Sequence, residues 1–241
     1  MILALNTSTL QFSIALMAED GTLAAEHIMT GAKGHYGSLM PTLRGLIGAC
    51  GVGFQDLTAI AAATGPGSFT GLRVGLSAAK GLAHALDVPL IGVPSLPALA
   101  SQIFHAPIPV CALLDSRKEE FFCATYTLQK GLPVQTKETT ALGLNAFAES
   151  FPETTLFVGN DFSRQGPLLT NILGTRAVLA PSPAWCVRAS SVALLGLGRL
   201  KSREFDDPDS LDPIYLRPPD IRPNPYPLDK QVEAEGKKGR G

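Results

Sequence analysis

The chain has 241 residues, 45% of them hydrophobic and 17% charged, with a formal net charge of −1. It can therefore bury the core of one large domain or two halves, and it is too nearly neutral to grip nucleic-acid phosphates by charge alone. Four scattered cysteines (Cys50, Cys111, Cys123 and Cys186) with no CxxC pair argue against a zinc site or a disulfide framework and fit a reducing cytosol.

The first residues, "MILALNTSTL", lack a basic start and turn polar after Leu5, so they read as a strand and not a secretion signal. No apolar run approaches the ~20 residues of a membrane span, so a cytoplasmic protein is expected. Strands are predicted at "ILALN", "FSIALMA" and "TLAAEHIM". A helix follows over "GSLMPTLRGLIGAC", with Leu39, Leu43, Leu46 and Ile47 on one face and Pro41 in its first turn. Then come a strand "LTAIAAA", a glycine turn opening a helix, a strand "PLIGV", and a helix from Ser95, as N-cap, to Phe104.

The second half restarts this order. "VCALLD", "EFFCATYTL" and "GLPVQTKE" read as strands, followed by a helix at "ALGLNAFAESF" and a strand "TLFVG". A helix "RQGPLLTNIL", a strand "AVLA" and a closing helix "SSVALLGLGRLKS" complete it. Asn6 and Asp115 thus end the first strand of each repeat, which is a repeat of pattern and not of residues. Residues 1–105 and 106–217 are predicted to form the two halves, with "PIYL" as a last strand. The proline-rich, charged 218–241 lacks the apolar content to offset ordering entropy, and a disordered tail is expected there.

The turn "ATGPGSFTGLRVG" is the candidate phosphate loop. It fails the Walker spacing, since no lysine follows, and it fails the dinucleotide fingerprint, since position 70 is Thr70 and not glycine. Gly65 and Gly67 still permit close backbone approach, Ser68 or Thr70 can cap the helix, and free amides lie at its start. Arg73 in the first turn is open to an ion pair or a fold-stabilising contact. Gly71 and Gly75, continued by Ala78 and Ala79, make a small-residue face that another helix could approach.

Taken together, "ILALNTS", "HYGSLMPTL", "GPGSFTGLRVGLSAAKGLA", "PLIGVPSLPALA", "LLDSRKEEFF" and "DPIYLR" resemble the bacterial TsaB (YeaZ) family over nearly the whole chain to Arg217. The resemblance implies an α/β actin-like ATPase (ASKHA) fold made of two ribonuclease-H-like halves with mixed central sheets, and the strand order points the same way. It implies a non-catalytic subunit that pairs with a TsaD-like catalytic subunit. With a TsaE-like ATPase, such a pair transfers threonylcarbamoyl to adenosine 37 of ANN-decoding tRNAs, so tRNA contact comes through the complex. No intrinsic cofactor is implied: the metal is expected on the partner, with ATP or ADP at the shared interface.

Carried over residue by residue, the family's motifs match Gly65 to Gly75, His35–Leu39–Pro41, Asp115–Arg117–Glu120, and Pro213–Tyr215–Leu216–Arg217. The expected partner interface is His35, Leu39, Leu43, Leu46, Thr70, Leu72, Arg73, Gly75, Leu76 and Ala79, and a charge at Leu72 or Leu76 is expected to abolish pairing and leave the monomer folded. Candidate nucleotide contacts are Asn6, Thr7, Gly65, Gly67, Ser68 and Arg117. The family usually has aspartate where Asn6 stands, and an amide cannot supply the negative charge that holds a magnesium-bound phosphate.

No catalytic residue is assigned. His35 is followed four residues on by Leu39 and not by a second histidine, too few ligands for a metal centre. There is no HExxH, and Ser68 lacks the spacing of a nucleophile elbow. Asp115 beside Arg117 and Glu120 reads as part of an ion network. The alternatives are a small-molecule kinase or ATPase of the same fold, and a homodimer formed by the apolar helix faces when the partner is missing.

Overall fold

The computed structural model describes residues 1–30, 35–116 and 120–217. Its first half holds β1 (Ile2–Asn6), β2 (Gln11–Met17), β3 (Leu23–Thr30), α1 (Leu39–Ala49), β4 (Ala59–Gly65), α2 (Phe69–Leu86), β5 (Leu90–Pro94) and α3 (Ser95–Ala100). The second half holds β6 (Val110–Asp115), β7 (Glu120–Gln129), β8 (Leu132–Gly143), α4 (Leu144–Ser150), β9 (Thr155–Val158), α5 (Phe162–Leu173), β10 (Ala177–Leu179) and α6 (Ala189–Lys201).

The two five-stranded sheets have one topology. Their orders are β3-β2-β1-β4-β5 and β8-β7-β6-β9-β10. In each, the first three strands pair antiparallel and the last two join parallel through helical crossovers. β1 and β6 are central in both, which is why they are buried on both faces and read as unbroken apolar runs.

Alternation along the first sheet divides its side chains between two cores. Leu3, Leu5, Phe12, Ile14 and Ile60 face α1 and α2. Ile2, Ala4, Ala59, Ala61 and Ala63 face the other way, into a core shared with the second sheet, α3 and α6. The alanines of β4 let α6 come close: a Cβ on Gly196 would stand 3.0 Å from that of Ala61. α6, although late in the chain, thus packs on the first sheet, while α3 packs on strands of both sheets.

The first turn of α6 is capped from the first sheet. Ser13 Oγ on β2 accepts from Ala189 N at 2.8 Å, and Glu26 Oε1 on β3 accepts from Ser190 N at 2.9 Å. Glu26 also pairs with Arg188, so a buried carboxylate sits at a helix N-terminus beside a guanidinium.

Four local expectations change. α3 stops at Ala100 and its N-cap is Pro94, because Ser95 is already helical; Ser101 Oγ turns back to Ala98 O. α5 starts earlier, at Phe162, because Asp161 accepts from Arg164 N at 3.2 Å and caps it. β8 runs on to Gly143, paired with Glu120, and shortens α4. "PIYL" is no strand; it is an extended segment held by one backbone bond from Ile214 N to Thr64 O at 2.7 Å. The expected tail, 218–241, lies outside the described residues.

Candidate functional site

β1 ends in a polar turn in which every side chain is occupied. Asn6 is fully buried; its Nδ2 donates to Val187 O at 2.7 Å, and its Oδ1 accepts from Ser8 N at 3.0 Å and Ser8 Oγ at 2.6 Å. Thr7, also buried, donates to Gly71 O at 2.7 Å. The side chains of Asn6 and Thr7, expected as nucleotide contacts, are thus engaged within the fold.

This turn also explains the glycines. A Cβ on Gly75 would meet Thr7 Oγ1 at 2.0 Å, and one on Gly67 would meet Ser8 O at 2.1 Å. Ser68 N donates to that same Ser8 carbonyl at 2.7 Å, while Ser68 Oγ accepts from Gly71 N at 3.2 Å as the N-cap of α2. Gly65 has φ +115°, and its missing Cβ would lie 2.8 Å from Ile214 O. Gly75 on the small face of α2 thus approaches this chain's own β1 turn, and Gly65 at the end of β4 approaches its C-terminal segment.

The second half repeats the arrangement with different chemistry. Asp115 ends β6; its Oδ1 accepts from Gln165 Nε2 at 2.7 Å and pairs with Arg164, and its amide donates to Asn160 Oδ1 at 3.0 Å. Gln165 is fully buried, and its Oε1 accepts from Asn160 N and Asp161 N. Among the described residues, Glu120 pairs with Arg217 at 2.6 Å. Arg117 lies outside the described residues, as does the side chain of His35.

A cleft of about 480 Å³ opens between the two turns, walled by Ser8, Gly67, Ser68, Asp115, Asn160 and the segment Ile214–Arg217. A magnesium-bound phosphate here would call for carboxylate oxygens free to face it. Asn6 carries no charge and its Nδ2 and Oδ1 are both bonded within the chain, while Arg164 and Gln165 both bind Oδ1 of Asp115. Among the described residues no group of three His, Cys, Asp or Glu side chains could hold a metal.

The interface expectation needs the same revision. Leu39, Leu43, Leu72, Leu76 and Ala79 are at most 2% exposed, and Gly75 is buried; Leu39, Leu43, Leu76 and Ala79 pack on the first sheet, Leu72 lies beside Gly65 at the end of β4, and Gly75 lies against Thr7. A charge at Leu72 or Leu76 would therefore unfold the chain instead of merely blocking a partner. Leu46 is half-buried, while Thr70 and Arg73 are exposed. Arg73 resolves as a fold contact: its Nε donates to Tyr215 OH at 2.9 Å, and its guanidinium sits 3.7 Å over the Phe69 ring.

The free faces of α1 and α2 are the complements of those stripes. On α1 they carry Pro41, Arg44, Gly45 and Gly48; on α2 they carry Ser77, Gly81, His84 and Ala85. A Cβ on Gly45, Gly48 or Gly81 would meet nothing within 4 Å. Both helices cover the same face of the first sheet, so the small residues form the outer surface of one layer. The signal was in the sequence, on the helix faces opposite the leucines.

Two sheets of identical order, sharing helices and facing across a cleft, define an actin-like α/β protein of two ribonuclease-H-like halves. A family model described as TsaD, tRNA N6-adenosine threonylcarbamoyltransferase, matches residues 29–142. The chain is 35% identical to the tRNA threonylcarbamoyladenosine biosynthesis protein TsaB of Bacillus subtilis (strain 168), over 90% of this chain and 93% of that protein. It is 35% identical to the Escherichia coli (strain K12) protein of that name, over 52% of this chain and 54% of that one. A solved structure of YeaZ from Pseudomonas aeruginosa superposes with a TM-score of 0.75 at 27% identity, covering 89% of this chain and 99% of that one. The chain belongs to the TsaB (YeaZ) family.

Proposed function

We propose that this chain takes part in forming threonylcarbamoyladenosine in tRNA, as the non-catalytic subunit that binds and activates a TsaD-like partner. The observation that carries this reading is the state of Asn6. The position at which the fold would hold a magnesium-bound phosphate is occupied by a neutral amide whose hydrogen-bonding atoms serve the chain itself. Bond-making chemistry, with its metal and its ATP or ADP, is assigned to the partner and the shared interface. Transfer to adenosine 37 of ANN-decoding tRNAs, and contact with a TsaE-like ATPase and with tRNA, then belong to the assembly. A kinase would need a carboxylate free to act in the cleft, and Oδ1 of Asp115 is held by two donors.

The partner-facing surface is placed on the outer layer of α1 and α2. Exposed glycines there let a second pair of helices approach closely, and Met40, Arg44, Lys80 and Leu46 rim them. Self-association through the same layer is the expected behaviour when no partner is present.

The test is size-exclusion chromatography of the chain mixed with the TsaD-like subunit of the same organism. Wild type is expected to co-elute as a heterodimer. Gly45→Glu and Gly81→Glu, at positions with open space, are expected to fold normally and elute alone. Co-elution that survives both substitutions would move the interface elsewhere.

A further inference from the structure

After α6 the chain doubles back over the first sheet. The Asp206 carboxylate accepts from Gly92 N at 2.7 Å and from Arg199 at 2.8 and 3.2 Å, while its backbone bridges Leu90 on the edge strand β5. Leu211 lies over Gly92, where a Cβ would come within 2.9 Å of its Cδ1. Ile214 N holds Thr64 O, and Tyr215 OH accepts from Arg73 Nε, its ring 5.2 Å from Phe69. At the far end Arg217 pairs at 2.6 Å with Glu120, the first residue of β7 in the other half.

The segment is therefore anchored repeatedly on the first half and reaches the second through the Arg217–Glu120 pair. Between these anchors it forms one wall of the cleft. Elsewhere in the molecule Asn6 and Ser13 fix Val187 O, which leads into α6, and Gln11 Nε2 donates to Asn160 O at 3.2 Å. The halves share one apolar core and the helix α3, and polar ties are added where the chain enters α6, at the β2–Asn160 contact and at the strap.

We propose that residues 206–217 are a clasp that holds the two halves at one angle and, through Tyr215, links that angle to the posture of Arg73 on the exposed side of α2. A segment without regular secondary structure gains its order only from contacts, so losing the terminal ion pair frees the wall of the cleft and the phenol that holds Arg73. The link is reciprocal: whatever fixes Arg73 from outside also favours the closed clasp. This goes beyond the partner reading and does not depend on it.

The test uses the full chain with spin labels on keto-bearing residues introduced at exposed Ala85 of α2 and Asn171 of α5, leaving the native cysteines untouched. Pulsed dipolar spectroscopy should give one narrow distance distribution for wild type, a broadened one for Arg217→Glu, and a narrow one again for the charge-swapped Arg217→Glu/Glu120→Arg pair. Hydrogen exchange in residues 70–74 should rise about tenfold in Arg217→Glu and return in the swap. If Arg217→Glu melts cooperatively like wild type and its distance distribution overlays the wild-type one, the clasp is refuted; broadening without faster exchange in 70–74 refutes the link to Arg73. Should Arg217→Glu fail to fold, Arg217→Gln carries the same two measurements.

Discussion

The side-chain amide of Asn6 donates to the backbone carbonyl of Val187 at 2.7 Å, joining the end of β1 to the segment that starts α6. An aspartate here would set a carboxylate against that carbonyl in a fully buried site and lose the bond. Asn6→Asp is therefore expected to cost about 2–4 kcal/mol, by loss of the hydrogen bond and desolvation of a charge. Urea unfolding measures it. The variant should acquire no magnesium-dependent ATP hydrolysis, because Val187 and Ser8 still enclose the position.

The glycines of the central block divide into two kinds with opposite outcomes. Gly75→Ala drives a methyl into Thr7, and Gly65→Ala combines a positive φ with a 2.8 Å contact to Ile214 O, so each should destabilise by about 1–3 kcal/mol. Gly45→Ala and Gly81→Ala face open space and should stabilise by up to about 1 kcal/mol through helix propensity. Thermal melts of the four variants separate the classes.

Glu26→Ala removes the acceptor for Ser190 N and the partner of Arg188 at the start of α6. Because the Glu26 side chain is only 5% exposed while Arg188 can reach water, the loss should be about 2 kcal/mol. Exchange of the Ala189–Val192 amides should rise with it, which distinguishes a lost cap from general weakening.

Tyr126 is buried with its hydroxyl unpartnered, and it lies in the second sheet near the thiols of Cys111 and Cys123. Burial raises the Tyr126 phenol and the Cys111 thiol, while the Cys111 hydrogen bond lowers the Cys123 thiol. A raised group binds its proton more firmly folded than unfolded, so its contribution is complete below the unfolded values of 9.0 for cysteine and 10.0 for tyrosine. It is lost as pH rises above them. Tyr126→Phe should gain about 1 kcal/mol at pH 7 by removing an orphaned hydroxyl. It should also flatten the fall in stability above about pH 10, read from urea midpoints across that range.

Much of the fold was legible because periodicity reports burial. β1 and β6 read as unbroken apolar runs since they are central in their sheets, and the leucines of α1 and α2 marked those helices correctly. The same leucines misled the interface reading, because an apolar stripe shows that something covers it and not whether that cover is a partner. Leu76 is covered by this chain's own sheet, and Leu72 is buried beside Gly65 at the end of β4. Gly65 and Gly67 signalled close approach, but what approaches is Ile214 from far along the chain and Ser8 from the first turn. Likewise Asp161 announced its helix locally, whereas the caps of α6 come from Ser13 and Glu26, over 160 residues away. Such contacts exist only once the sheets are stacked.

The most direct measurement is threonylcarbamoyladenosine formation on an ANN-decoding tRNA, supplied with threonylcarbamoyl-adenylate. It is run with the chain alone, with the TsaD-like subunit alone, and with both plus the TsaE-like ATPase. A non-catalytic activating subunit predicts no product from the chain alone and efficient modification only when it joins its partner. Turnover by the isolated chain, or full activity of the partner without it, would contradict that role.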